Sequence, residues 1–373
     1  MRRPASVPLA RRTLFADRRR AWLAVGGVAV ALALVLLFDA IISGAMNQVT
    51  HYLRTSPADV IVSQEGVRTL HMSSSTLPPD TAERAAAVDG IAWAESLAFM
   101  TGTISAGGDE QLSYVFGYDV DTGRGGPAEL AEGRPPGAGE TVVDSGAAED
   151  MGVAVGDTVV VAGREFTVVG LSTGGTNVAN TTAFLNRSGF AELDRPVDSY
   201  VLVGASRGTS PDELAERLSR ALPETTVQTR DAFVEEERGI VLDMTADLMR
   251  IMAAIAFALS LALIALVLSS VTRANLRSYA VVGALGAAPR RLVLTLTAQA
   301  AWIAVSATVV ATAITVGLAA VVPAVATTLP LDVRPSAIGW VFASALAAAA
   351  VGAVQPLRSI SRVDPATAFR RAT

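Results

Sequence analysis

The chain sets one long polar stretch between apolar runs. Residues 21–42 are apolar except for Asp39, residues 44–247 mix polar and apolar positions, and three more apolar blocks follow at 248–271, 292–322 and 336–354. Helix rises about 1.5 Å per residue, so roughly 20 apolar residues cross a hydrocarbon core of about 30 Å. The pattern predicts an α-helical integral membrane protein with four transmembrane helices and a large extracytoplasmic α+β domain. The spans are 21–43, 248–271, 292–322 and 336–354, with an outer loop at 323–335 marked by Pro323, Pro330 and Pro335. The third block exceeds what a bilayer needs, so that helix tilts or projects. Ser43-Gly44-Ala45 has the small-x-small form of a signal-peptide cleavage site. The preceding run is longer than the usual apolar region of about 7–15 residues and reads as an anchor.

Inside the polar stretch, two segments carry one pattern. Asp59–Ser63 predicts a strand, Asp80 with Glu83 three residues on predicts a helix start, and Ile91–Met100 predicts a strand. Later, Ser199–Val203 predicts a strand, Ser210-Pro211-Asp212-Glu213 a capping box with proline at the first helical position, Leu214–Leu222 a helix and Thr225–Thr229 a strand. Two such units make a split β-α-β lobe. Between them, residues 119–190 are rich in glycine and proline. Glu140–Val143, Thr158–Val161 and Glu165–Val169 read as short strands there, with turns at Gly156-Asp157 and Gly163, which predicts an inserted small β lobe. Residues 230–247, including Glu235-Glu236-Glu237, read as a helical stalk into the second span.

Charge sets an orientation. Segments 1–20, 273–292 and 357–373 hold 15 arginines and two acids, whereas residues 44–250 hold 14 arginines against 31 acids. Arginine biases short loops to the cytoplasm. Both ends (1–20 and the tail 355–373) and the loop 272–291 are therefore expected inside a bacterial inner membrane, with the large domain outside. An acidic outer domain also argues against nucleic-acid binding.

All 30 basic residues are arginine and there is no cysteine. A phosphate-binding loop of the Walker type needs its lysine, so this chain is not expected to be an enzyme or to bind ATP. No disulfide or thiolate metal site is possible. Gly204-Ala-Ser206-Arg-Gly208 matches a nucleophile elbow, but His51 and His71 both precede it, where such hydrolases need a later histidine. Gly123-Arg-Gly-Gly-Pro-Ala128 lacks the strand and helix of a dinucleotide site. The two histidines have no helical metal spacing and read as stalk or surface residues. Asp39 and Arg250 are ionisable residues at the outer ends of two spans, and a contact between them is one expectation.

The loop between the second and third spans carries Arg273, Arg277, Arg290 and Arg291 with no acid, around the apolar segment Tyr279–Ala287. Its sequence Ser278-Tyr279-Ala280-Val281-Val282, Ala284-Leu285-Gly286-Ala287, Arg290-Arg291 resembles the coupling helix of FtsX-like (MacB-type) permease subunits of ABC transporters. The likeness extends to Glu132-Gly-Arg134, Gly139-Glu-Thr-Val-Val143, Gly152–Thr158 and Phe166–Gly170 in the outer domain. It extends also to Pro356, Arg358, Arg362, Pro365 and Phe369-Arg370 in the tail, and to Leu9–Arg20 as an amphipathic N-terminal segment.

The resemblance implies a permease subunit, of exporter type, that passes ATPase motion to the outer domain. Arg277, Tyr279, Val282, Ala284, Leu285, Gly286, Ala287 and Arg290 would touch a cytoplasmic ABC ATPase subunit, with ATP and magnesium held by that partner. It further implies a homodimer or paired permease, an extracytoplasmic adaptor as an optional partner, and contact with membrane lipid. The alternative within the family is an FtsX-type transmembrane signal transducer that activates an extracytoplasmic cell-wall hydrolase. The outer domain, roughly 200 residues with its inserted lobe, favours the exporter type.

Overall fold

The computed structural model describes residues 18–71, 73–176, 180–195, 198–274, 289–322 and 331–352. The chain divides into two compact units, one built chiefly from residues 44–245 and the other from 1–43, 246–325 and 331–373.

In the first unit, α2 (His51–Thr55) leads to β1 (Val60–Gln64), α3 (Thr81–Ala86) and the long strand β2 (Ile91–Ala106). Near its far end, β9 (Tyr200–Ala205), α6 (Pro211–Ala221) and β10 (Thr225–Thr229) repeat the order strand, helix, strand. The two repeats interleave in the sheet order β10-β1-β9-β2, all pairs antiparallel. This is the split β-α-β arrangement. Val60, Val62, Val201 and Val203 face α3 and α6, where Ala85, Leu214 and Leu218 are fully buried. Ser210 caps α6 by accepting the Glu213 N–H at 3.3 Å, and Pro211 occupies its first turn. Asp80 precedes α3 as the helix start expected there, but its side chain makes no cap bond.

The inserted lobe is a closed barrel. Its further strands are β3 (Asp109–Tyr118), β5 (Glu140–Asp144), β6 (Thr158–Val161), β7 (Arg164–Ser172) and β8 (Thr181–Asn186), with β4 (Leu130–Gly133) added on the edge of β7. The ring runs β2-β3-β8-β5-β7-β6 and returns to β2 through Ile104 and Ser105 opposite Val161 and Val160. Two short helices, α4 (Ser145–Met151) and α5 (Arg187–Ala191), supply Ala147 and Phe190 to its interior core beside Ile104, Val115 and Phe166. The lobe is wider than the expected 119–190, because residues 98–118 close it. Strand β2 belongs to both lobes: Ile91–Leu97 pair with β9 and Ala98–Ala106 with β3. Arg187 braces the crossing point, donating to the Ser96 carbonyl and to Asp198, each at 3.0 Å.

Motifs that carried the family likeness prove to be structural in this lobe. Gly133 has φ +83, and a Cβ there would lie 2.1 Å from the Val169 carbonyl oxygen. Next to it Arg134 makes a two-pronged pair with Glu140 at 2.7 and 2.6 Å. Gly152 ends α4 in the left-handed conformation, as helix C-termini favour.

The second unit contains α1 (Arg18–Val49), α8 (Pro289–Val321), α9 (Pro335–Gly352) and the latter part of α7 (Arg230–Ala274). Alanine-rich faces of α1, α8 and α9 share one core, in which Ala29, Leu36, Ala304, Ala311, Val341 and Ala348 are buried. Small residues allow such close helix approach. Among the described residues, Val25–Val49 and Thr297–Val321 are long and apolar enough to cross a membrane, and Pro335–Val351 is a shorter apolar helix.

Phe116 on β3 is fully buried, whereas Leu112 on the same strand is 56% exposed. Replacing Phe116 with alanine should cost about 3–5 kcal/mol, while Leu112→Ala should stay within about 0.5 kcal/mol. Thermal unfolding of the full chain in detergent checks this. Equal shifts for the two variants would contradict the burial described.

Candidate functional site

The residues expected to meet an ATPase fall at a break in the described structure. Helix α7 ends at Ala274 and α8 opens at Pro289. Arg277, Tyr279, Val282, Ala284, Leu285, Gly286 and Ala287 lie between them, outside the described residues. Arg290 is in the first turn of α8.

At the other end, α7 starts inside the outer unit, and the sequence grips it there in two ways. The first is apolar. Phe233 and Val234 are buried in a cluster with Leu53 of α2, Ile61, Phe99, Tyr114, Phe116, Phe184 and Tyr200. Tyr52 of α2 stacks on Phe116 at 4.1 Å and donates its hydroxyl to the Gly125 carbonyl at 2.8 Å. Tyr200 meets Phe233 edge-on at 6.1 Å. Such aromatic pairs contribute about 0.5–1.5 kcal/mol each beyond the area they bury.

The second grip is polar. Glu237, three residues past Val234, is 1% exposed. Its carboxylate accepts the Leu70 N–H at 2.8 Å and the His71 N–H at 3.1 Å. The loop so held is bonded onward to both lobes: His71 Nδ1 lies 2.7 Å from the Tyr114 hydroxyl on β3, and Tyr200 on β9 donates to the Thr69 carbonyl at 3.2 Å. Arg68 pairs with Glu236 at its edge. Burial pushes the Glu237 carboxyl above its ordinary range, against the pull of the two N–H donors. Burial holds His71 below its ordinary value. It pushes Tyr114 up to about 12, with the negative charge of Glu237 adding to the effect.

Glu237 looks no different from Glu235 and Glu236 in the run of three acids. A helical count from Phe233 and Val234 carries the signal, because residue 237 falls three and four positions on, on the same face. His51 packs on the Gly174 backbone, where a Cβ would lie 2.5 Å from the ring.

Asp39 has a basic partner, Arg334, while the side chain of Arg250, the partner expected, lies outside the described residues. The Asp39 Oδ1 accepts from Arg334 Nη2 at 2.9 Å. Arg334 directly precedes α9, so the pair joins the C-terminal half of α1 to the start of α9.

Residues 21–221 match the MacB-like periplasmic core domain and residues 250–365 the FtsX-like permease C-terminal region. The chain belongs to the MacB/FtsX-like family of ABC transporter permeases. It is 26% identical over 366 residues to uncharacterized ABC transporter permeases from two Mycobacterium tuberculosis strains, CDC 1551 / Oshkosh and H37Rv, covering 94% of this chain and 96% of each relative. Among solved structures, the periplasmic region of MacB from Actinobacillus actinomycetemcomitans is 14% identical, with a TM-score of 0.37, covering 50% of this chain and 96% of that one. The extracellular domain of the noncanonic ABC-type transporter YknZ from Gram-positive bacteria is 13% identical, with a TM-score of 0.36, covering 46% and 98%. A MacB/FtsX-like permease is a membrane protein that partners a cytoplasmic ATPase subunit and is not itself the ATPase.

Glu237 yields a pH prediction for this permease. A carboxyl whose folded pKa is raised binds protons more readily in the folded state. Its contribution is fully present below the ordinary value of 4.5 and is lost as pH rises through the raised value. His71 acts oppositely, stabilising at neutral pH and losing that contribution as pH falls from 6.5 through its lowered value. Glu237→Gln should therefore remove the loss on the alkaline side. Relative to the wild type it should gain stability steadily from about pH 4.5 toward neutrality. Thermal unfolding of both proteins across that range checks the sign. A constant difference between them would contradict the raised pKa.

Proposed function

We propose that this permease is the membrane subunit of an exporter-type ABC transporter that carries ATPase motion across the membrane to its outer domain. In this reading four helices span the bilayer, with both termini and the 272–291 loop in the cytoplasm. The observation that carries it is the continuity of α7. The helix runs unbroken from Arg230 to Ala274, 45 residues, or about 67 Å of helix. One end is buried in the outer unit through its own Phe233, Val234 and Glu237. The other ends directly before the segment 275–288, where the family likeness puts the coupling helix.

Push or rotation applied at that segment would reach the outer domain along one hydrogen-bonded helix. The outer domain would respond as a single body, since β2 and the aromatic cluster join its lobes. Substrate is handled outside in this scheme. The resemblance adds a homodimer or paired permease, with Arg277, Tyr279, Val282, Ala284, Leu285, Gly286, Ala287 and Arg290 meeting the ATPase, and ATP and magnesium bound there. The charge asymmetry supports the orientation.

Affinity purification of the intact protein in mild detergent tests this reading. A stoichiometric ATP-binding subunit should come with it. Gly286→Glu should strip that subunit or abolish its response to the permease, leaving the outer domain folded by circular dichroism. An ATPase that binds and responds equally to Gly286→Glu would contradict the coupling assignment. An adaptor in the eluate supports export, whereas a cell-wall hydrolase would move the reading to the transducer.

A further inference from the structure

Asp39 is the one ionisable residue in the apolar run 21–42. Its side chain is 6% exposed, whereas that of its partner Arg334 is 41% exposed. The pair does not stand alone. Ser43, one turn on in α1, donates its hydroxyl to Asp332 Oδ2 at 2.9 Å, and the Asp332 N–H donates to the Ala40 carbonyl at 3.0 Å. Arg334 in turn opens α9: its carbonyl accepts the Ala337 N–H at 3.0 Å, and Pro335 fills the first helical position. Three polar contacts thus tie the outer part of α1 to the residues that start α9. Below them the buried core of α1, α8 and α9 is largely alanine and valine. Such packing has close contact but little that fixes the helices against sliding.

We propose that Asp39 and Arg334 form a clasp that holds α1, α8 and α9 together as one block while the transporter works. Both are positioning residues. A charge at the edge of the hydrocarbon region is costly without a partner, so the closed pair resists separation of the helices. The reach of the two side chains differs. An arginine freed of its partner can extend its stem to water, and Arg334 is already partly exposed. Asp39 is buried, and its Oδ2 has no hydrogen-bond partner among the described residues. Loss of Arg334 should therefore harm the block more than loss of Asp39. The block's part in a working cycle rests on the proposed transport function; the clasp itself is tested on the chain alone.

The chain lacks cysteine, so Leu34→Cys and Ser336→Cys give unique spin-label sites on α1 and α9. Both positions are exposed. With the full chain in lipid nanodiscs, the distance distribution between these labels should be narrow in the wild type and in Arg334→Lys. It should broaden in Arg334→Ala, and less so in Asp39→Ala. Arg334→Ala should also lower the thermal midpoint more than Asp39→Ala does. The double variant Asp39→Ala/Arg334→Ala should regain a midpoint near that of Asp39→Ala while its distribution stays broad, which separates the clasp from the damage done by an orphaned charge. A distribution as narrow in the double variant as in the wild type overturns the clasp.

In the complex with the co-purifying ATPase, the wild-type distribution should be the same with and without ATP. A nucleotide-dependent change in that distance overturns the block. Failure to recover any ATPase overturns the transport reading and with it the block's part in a cycle. The variant comparison then still judges the clasp.

Discussion

One aromatic cluster holds both lobes of the outer domain and the start of α7 together. Tyr52, Phe99, Tyr114, Phe116, Phe184, Tyr200 and Phe233 come from α2, from the barrel, from the split sheet and from α7, and they pack as a connected set of rings. Fixing α7 therefore fixes both lobes, and the shared strand β2 removes the freedom they would otherwise have. Polar contacts add direction to that apolar grip. Glu237 reaches the backbone of the 70–71 turn, a feature that packing alone would not specify.

The short strands and caps were legible because their signals are local. Thr158–Val161 and Thr225–Thr229 have the bounds that alternation and turn residues suggested. Ser210 does cap its helix, where a hydroxyl, a proline and two acids all agree. Strand β3 was illegible for a physical reason. Tyr114, Phe116 and Tyr118 face the aromatic cluster while Val115 faces the barrel interior. A strand buried on both faces loses the apolar-polar alternation that reveals a half-exposed one. Closure of the barrel by β2 and β3 depends on pairing across more than fifty residues, which no local pattern encodes.

The candidate site divides the same way. The 275–288 segment is recognisable from its residues through family likeness. The buried charges show the opposite balance. Asp39 stood out at once, because an acid inside an apolar run is conspicuous. Its partner did not, because Arg334 is nearly 300 residues away in sequence and looks like any loop arginine. Glu237 was hidden within three consecutive glutamates, of which the helical turn buries only the last. Burial and partner choice are properties of the assembled helices.

The claim on which the rest turns is that the unit built from residues 44–245 lies outside the membrane and the 275–288 segment inside. Because the chain has no cysteine, Asp121→Cys and Arg277→Cys can each be exposed to a membrane-impermeant maleimide in intact spheroplasts and again after lysis. Labelling of Asp121→Cys before lysis, with Arg277→Cys labelled only afterwards, is the expected result. Labelling of Arg277→Cys in intact spheroplasts, with Asp121→Cys protected, would contradict the orientation and with it the passage of force from a cytoplasmic ATPase to an outer domain.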